Sequence, residues 1–538
     1  MLNIQRKPDD CFVLTEKDGF ARLWNAVLPE NIQEKQQEND CVLRFEETEA
    51  GLNVYLRAEK SEPTFVCLRW TDKVTEPTFV LGDSWERAYG MLGWQPVNGE
   101  RFMPWYFFIK DSAGTTGCGV KVRPAAFISF CRDASGVSAW FDVRCGGVGV
   151  RLQGRELLLG TVVCRRYEGI SSFEAAEKFC KLLCDDPILP KEPVYGGNNW
   201  YYAYGKSSKE DILGDARLIK KLTVGCKGQP YMVIDDGWQP NSCAGPWVPN
   251  QAYGDMADVA SEMKKCGIKP GIWVRLLHDE EALKAHPDWG LQNHGESKNN
   301  LDPSVPGVLD YVKETVERFR AWGYLLLKHD YTTFDLFGDY GSELNGSITT
   351  HDGWAFADRT KTSAEIVLQF YKTIREAAGD MVIIGCNTVS HLCAGLVEVN
   401  RVGDDTSGKY WTRTRVLGVN SLAFRLPQNK AFYMVDADCV GILGHNLPWH
   451  LNSRWMRLLA KSGTPLFLSC EQGVLTEAQE KEVNECFLSA SVQEDRAVPS
   501  DWEYNTTPQE WLINGEREYF DWSEGVYPAL LKKRVQPI

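Results

Sequence analysis

The sequence predicts an α/β protein: a (β/α)8 TIM barrel carrying an N-terminal antiparallel β-sandwich and a short C-terminal β appendage. Three observations predict it. Residues 1–190 read as short apolar or alternating runs, rich in β-branched residues and punctuated by Gly, Asp and Asn. From about residue 193, strand-like runs alternate with helical ones, and eight such units fit within the ~300 residues a barrel needs. A Gly-rich turn after the first of these strands, expected of a doubly wound open sheet, is absent. The 538 residues divide on this reading into a sandwich over 1–190, a catalytic barrel over 191–490 and an appendage over 491–538.

The elements follow in order. The sandwich strands are read at Thr64–Leu68, Thr78–Leu81, Tyr106–Ile109, Ala126–Cys131, Ala139–Val143, Val148–Leu152 and Leu157–Cys164. A helix is expected at Ser172–Leu183, capped by Ser171 or Ser172, and Asp185–Pro190 reads as a linker. The barrel strands are expected near Gly197–Tyr201, Tyr231–Asp235, Lys269–Arg275, Tyr324–Lys328, Val382–Cys386, Val397–Arg401, Phe432–Val435 and Pro465–Ser469. Between or after them lie helical stretches at Lys209–Lys221, Gly254–Lys265, Val305–Trp322, Thr362–Ala378, His450–Ser462 and Thr476–Ala490. Near the end, Asn514-Gly515 sits at the centre of Glu510–Phe520 and marks a hairpin.

Composition narrows the function. The 59 basic and 73 acidic residues give a net charge of −14, which argues against nucleic acid as a partner. No apolar run approaches the ~18–20 residues of a membrane span, and Met1–Asp10 lacks the apolar core of a signal peptide. The 17 cysteines are scattered without a C-x-x-C pair, so reduced thiols in a cytoplasmic protein are the expectation. The 8 histidines show no zinc-binding spacing, and neither a metal nor a cofactor is expected. The 19 tryptophans suit a core, and also suit a sugar-binding pocket, where an indole face packs on a pyranose ring.

A barrel places its active site at the C-terminal ends of its strands, so those positions are the ones to read. They hold Trp200, then Asp235, Asp236 and Trp238, then Trp273 and Arg275, then Lys328 and Asp330, then Cys386 and Asn387, then Arg401, Asp404 and Asp405, and last Asp436 and Asp438. Such a set suits a polyhydroxylated ligand: carboxylates accept bonds from vicinal hydroxyls, and paired carboxylates cleave glycosidic bonds. Lys328 and Asp330 point to one face by the strand period of two, whereas His329 faces away and reads as a packing residue. An Asp-Asp pair after a strand also serves as a helix cap, and a Lys–Asp pair as a structural ion pair.

Read as an ordered set, these residues resemble the melibiase-like glycoside hydrolases: the α-galactosidases of families 27 and 36, with their α-N-acetylgalactosaminidase and raffinose-synthase relatives. The matching segments are Gly197-Asn198-Asn199-Trp200, Ile234–Trp238, Lys328-His329-Asp330, Arg401–Asp405, Asp436-Ala437-Asp438 and Gly463–Ser469, preceded by Leu81–Gly90 in the sandwich. The resemblance implies Asp330 as nucleophile and Asp405, with Asp404 as the alternative, as acid/base. It implies that Asp235 and Asp236 bind the O4 and O6 edge of galactose and that Lys328 and Arg401 bind ring hydroxyls. Trp200 and Trp238 would shape the pocket, Asp436 or Asp438 would support the nucleophile side, and Trp85 would border the site. Two departures stand out: His329 replaces the family's Trp before the nucleophile, and Cys386-Asn387-Thr388-Val389-Ser390 replaces a Gly-rich segment that contacts the 2-substituent. Galactose and N-acetylgalactosamine both stay open on this reading.

The implied activity is a retaining exo-α-galactosidase acting on a small oligosaccharide or glycoconjugate. The alternatives are an α-N-acetylgalactosaminidase, a raffinose-synthase-type galactosyl transferase and a silent carbohydrate-binding protein. Family members are often oligomers, so a homo-oligomer is open. The double displacement requires an ionised Asp330, which Lys328 favours, and a protonated Asp405, which burial or Asp404 would favour.

Overall fold

The computed structural model describes residues 2–15, 40–291, 299–340, 353–444 and 447–523. Two antiparallel sheets form the N-terminal part. One runs in the order Asp10–Thr15, Pro63–Thr71, Gly136–Asp142, Phe127–Asp133, Asn98–Pro104. The other runs Val42–Thr48, Gly51–Arg57, Glu156–Tyr167, Thr115–Val120, Tyr106–Lys110, Phe79–Gly82, Gln95–Pro96. Their inner faces supply Leu52, Val54, Leu56, Val66, Leu68, Phe130 and Phe141, all fully buried, as alternation on a half-buried strand requires. The expected strand at Val148–Leu152 is absent. Its backbone is shared between the two parts: Val150 N–H donates to Pro63 O of the sandwich at 3.0 Å and Arg151 N–H to Arg359 O at 2.8 Å.

A helix at Ser172–Leu183 follows, with the Ser171 hydroxyl accepting from Glu174 N–H at 3.1 Å. The third sheet has nine parallel segments: Met434–Asp436, Val399–Arg401, Val382–Gly385, Leu326–His329, Lys269–Val274, Tyr231–Ile234, Tyr195–Asn198, Leu466–Cys470 and Val440–Ile442, in that order. The two end segments are halves of one strand. The seventh barrel strand breaks at Ala437-Asp438-Cys439; its first half pairs with the sixth strand and its second half with the eighth. The break is carried by Asp438 at φ 82°, a left-handed conformation that Asp tolerates better than most residues.

Alternate residues of these strands separate into two layers. Tyr231, Val233, Leu326, Ile384, Val399, Met434 and Phe467 form one apolar cluster that fills the barrel interior. Met232, Ile234, Ile272, Leu327 and Ile383 belong to the other, larger core between strands and helices. The barrel helices end in the expected way: Ser208, Thr362 and Thr476 each form a reciprocal capping box. Three short strands, Ala497–Pro499, Glu510–Ile513 and Glu516–Tyr519, make the C-terminal sheet; Asn514 at φ 52° and Gly515 at φ 87° form its turn.

Among the described residues, no helix is long and apolar enough to cross a membrane. All seventeen cysteines are free.

Candidate active site

The strand ends open on one cavity of about 640 Å³ whose floor is the interior apolar cluster. Asp235, Asp236, Trp273, Lys328, Asp330, Cys386, Asn387, Arg401, Asp404, Asp405 and Asp438 all line it, and so does Trp200. Trp200 stands on a helix rather than a strand. The first strand stops at Asn198, whose side-chain oxygen accepts from Trp200 N–H at 2.8 Å and turns the chain into Trp200–Ala203.

The second strand delivers Asp235 and Asp236. Asp235 Oδ2 accepts from Lys328 Nζ and Asn198 Nδ2, both at 2.7 Å. Asp236 accepts from Cys243 N–H at 2.8 Å and Ser242 Oγ at 3.0 Å. Gly237 at φ 105° then reverses the chain; a Cβ there would lie 2.4 Å from Gly205 O. That turn carries Trp238 out of the pocket, contrary to the expectation. Its indole is buried against Trp247, Phe319 and Trp322 and donates to Trp273 O at 2.9 Å. Arg275 also stays outside the cavity, paired to both oxygens of Asp335.

Asp330 follows the fourth strand. Trp273 Nε1 donates to its Oδ2 at 3.1 Å, and Tyr331 N–H to its Oδ1 at 2.8 Å. Burial pushes this carboxyl up, but Lys328, Arg87 and the Trp273 bond outweigh it and hold it below its ordinary value. Lys328 is likewise kept charged despite burial, chiefly by Asp235. His329 points outward against Tyr371, ring centroids 5.9 Å apart, and burial lowers it to about 4.

The sixth strand delivers Arg401, Asp404 and Asp405. Arg401 does not stand free for a ring hydroxyl: its Nη2 bonds Asp405 Oδ1 at 3.0 Å and lies 2.9 Å from Asp438 Oδ2. Asp438, turned inward by the strand break, also accepts from Thr406 N–H at 2.7 Å and from the Tyr201 hydroxyl. Asp404 pairs with Arg413 at 2.8 Å. Asp405 departs from the expectation of a raised carboxyl: burial favours the proton, but Arg401, Arg87 and Arg413 outweigh it and hold the group below its ordinary value. Asp436, by contrast, is pushed up to about 6, mainly by burial, and does not line the cavity.

Several lining residues were not read from the sequence: Arg87, Tyr89, Tyr201, Tyr204, Cys243, Tyr331, Tyr340, Lys409, Tyr410 and Arg413. Arg87 and Tyr89 lie on the sandwich loop that was quoted for the resemblance. The expected neighbour, Trp85, is buried at 2 % exposure against Phe127 and His391 instead. The loop reaches the site because it pairs with the sixth strand's end: Ala88 N–H donates to Val402 O at 2.7 Å. Tyr204, Cys243, Tyr331, Asn387 and Asp438 are five of the eleven described non-glycine residues at positive φ, so backbone strain gathers at this cavity.

No protein-family model matches the sequence, and no curated protein matches it. Solved structures do match in fold. An α-galactosidase from Thermus thermophilus, solved with p-nitrophenyl α-D-galactopyranoside, aligns over 89 % of this chain and 97 % of its own, with a TM-score of 0.59 and 16 % identity. The family 36 α-galactosidase AgaA from Geobacillus stearothermophilus aligns over 94 % of this chain and 77 % of its own, with a TM-score of 0.59 and 15 % identity. A family 31 sulfoquinovosidase from E. rectale aligns over 91 % and 80 %, with a TM-score of 0.56 and 12 % identity. In fold, the chain is a (β/α)8 barrel with an N-terminal β-sandwich of the kind seen in the family 36 α-galactosidases.

Proposed function

We propose that the chain is a retaining, exo-acting α-glycosidase whose substrates carry a terminal α-linked galactose. The observation that carries this reading is that Asp330 and Asp405 line one cavity, Asp330 bonded to the Trp273 indole and Asp405 to Arg401. Asp330, ionised beside Lys328 and aimed by the Trp273 indole, is the nucleophile that attacks the anomeric carbon and forms the glycosyl-enzyme. Asp405 then takes a proton from water in the second step, a role its ionised state serves directly. In the first step it is a weak proton donor, so the leaving group must be a good one or must accept its proton late. The solved relatives support the sugar: the Thermus enzyme was solved with an α-galactopyranoside and with stachyose, a short oligosaccharide.

Hydrolysis of aryl α-galactoside, α-N-acetylgalactosaminide and α-glucoside by wild type and Asp330→Ala tests the reading. Turnover of the galactoside, reduced roughly 10³-fold or more in the variant, is the expected result. Turnover unchanged in the variant would remove Asp330 from the mechanism.

One observation favours transfer as a second outcome of the same chemistry. Aromatic residues line the cavity beyond the carboxylates: the rings of Trp200 and Tyr204 lie 5.1 Å apart, Lys409 sits over Tyr204 at 3.7 Å, and Tyr340 and Tyr410 join them. Such surfaces hold a sugar acceptor as well as an aglycone. Product analysis with added oligosaccharide separates transfer from hydrolysis.

A further inference from the structure

Arg87 is the guanidinium of this site without a close partner. It is 7 % exposed, yet its nearest acceptors among the described residues are Asp405 Oδ1 and the Tyr89 hydroxyl, both at 3.4 Å, and Asp404 Oδ1 at 3.8 Å. Its Nε has no partner at all. The reason is competition: Arg401 takes Asp405 at 3.0 Å and Arg413 takes Asp404 at 2.8 Å. Burial opposes its charge, but Tyr89, Asp404 and Glu86 around it keep the guanidinium charged, and its five donors are left with only long contacts, free for a ligand.

The side chain is held in place from behind. Ala88 N–H donates to Val402 O, and Asp404 N–H donates to Ala88 O at 3.2 Å, so residue 87 is fixed to the end of the sixth strand. Glu86 accepts from Asn387 Nδ2 at 3.0 Å and from Tyr89 Oη at 2.6 Å, which ties the same loop to the fifth strand. Arg87 therefore stands on the wall between the fifth and sixth strands, paired with Asp405 at 3.4 Å and lining the same cavity as Asp330.

We propose that Arg87 is a substrate-binding residue that reads the group on carbon 2 of the sugar, and that this group is an uncharged hydrogen-bond acceptor, a hydroxyl or an acetamido carbonyl. The assignment rests on the glycosidase reading above and follows by elimination. With Asp330 at the anomeric carbon and Asp405 at the leaving oxygen, three acceptors lie within reach of a donor that neighbours both. The leaving oxygen belongs to Asp405. The ring oxygen gains positive charge in an oxocarbenium-like transition state, and a guanidinium there would oppose the reaction. The group on carbon 2 is the one left. An aglycone hydroxyl is too far out, because Arg87 is more deeply buried than Asp405, whose side chain is 39 % exposed. The group needs no charge of its own, because Asp330, Asp404 and Asp405 already face Arg87, Lys328, Arg401 and Arg413 in this cavity.

The test is a cycle of two enzymes and two substrates: wild type and Arg87→Met, each with an aryl α-galactoside and its 2-deoxy counterpart. Dividing one enzyme's kcat/KM ratio by the other's cancels the greater intrinsic lability of the 2-deoxy sugar. The expected result is a ratio of ratios of about 10- to 100-fold, the discrimination of a charged hydrogen bond, with the variant indifferent to the hydroxyl. Equal discrimination by both active enzymes would overturn the assignment. Arg87→Lys, measured in the same cycle, answers the question if the Met variant does not fold, because it keeps the charge but loses the fork of donors. An aryl 2-acetamido-α-galactoside as a third substrate shows which acceptor is preferred. A wild type that cleaves none of these glycosides fails the glycosidase reading itself, an outcome distinct from equal discrimination.

Discussion

Trp273 acts on Asp330 through a single bond, its indole N–H to Oδ2 at 3.1 Å. That bond favours the ionised carboxylate, as do Lys328 and Arg87, so the proposed nucleophile stays charged below the usual range. Activity is then lost only as pH falls through this lowered value, and the acid limb of kcat/KM belongs below the range of an unperturbed aspartate. Trp273→Phe keeps a ring in place but removes the donor; we expect kcat to fall about tenfold and the acid limb to move to higher pH, both read from a pH–rate profile. Asp405 leads to a second expectation. A carboxyl held below its ordinary value by three arginines donates its proton poorly at neutral pH, so rates across a series of aryl α-galactosides should rise steeply with the acidity of the phenol. A flat series would show that substrate binding restores the proton.

Among the elements, the helix Lys209–Leu222 carries Asp215, buried at 2 % exposure, which accepts from the Tyr202 hydroxyl and from Gln472 Nε2 at 2.8 Å. Burial dominates these bonds and pushes the carboxyl up to about 6. A raised carboxyl stabilises the fold fully below its unfolded value and loses that contribution as pH rises through its folded value. Between about pH 4 and 6 this one group should therefore remove on the order of 2 kcal/mol. Asp215→Asn should flatten the fall of Tm over that interval, measured by thermal melts at stepped pH. The boundaries of the elements show what local patterning can carry. The six longer barrel helices lie within a residue or two of where their apolar runs put them, because helical periodicity is local. The short helices Glu280–Ala285, Thr332–Phe337 and Asn420–Arg425 carry no such pattern and were not read. The early end of the first strand and the split seventh strand are not visible in the sequence, because each depends on a partner far along the chain: Ser469 Oγ for Tyr201 N–H, and Thr406 for Asp438.

At the scale of the whole molecule, the sandwich and the barrel are joined by a buried ion pair. Asp83 from the sandwich loop accepts from Arg425 Nε, Trp105 Nε1 and Gln428 Nε2, each at 2.7 Å, and Arg425 is fully buried. Asp83→Ala would strand that guanidinium in the interior and should cost about 3–5 kcal/mol of stability, read from denaturant unfolding. Because the same loop carries Arg87, the variant should also lose activity more steeply with temperature than wild type.

The strand-end filter drew most of the carboxylates of the cavity from sequence alone. A parallel barrel strand has a known direction and period, so the residues at its C-terminal end are known once the strand is. The β-rich start, the alternating middle, the Asn-Gly hairpin and the set from Asp235 to Asp438 all rest on such local rules. Tertiary structure decided the rest. Trp238 left the pocket because Gly237 reverses the chain against Gly205, and Trp85 turned to His391 while Arg87 took its place at the cavity. The Asp405 carboxyl is lowered by three arginines, one from the sandwich, one from the sixth strand and one from the segment after it. Ionisation depends on every charge within a few ångströms, and which charges those are is fixed only when distant parts of the chain pack together.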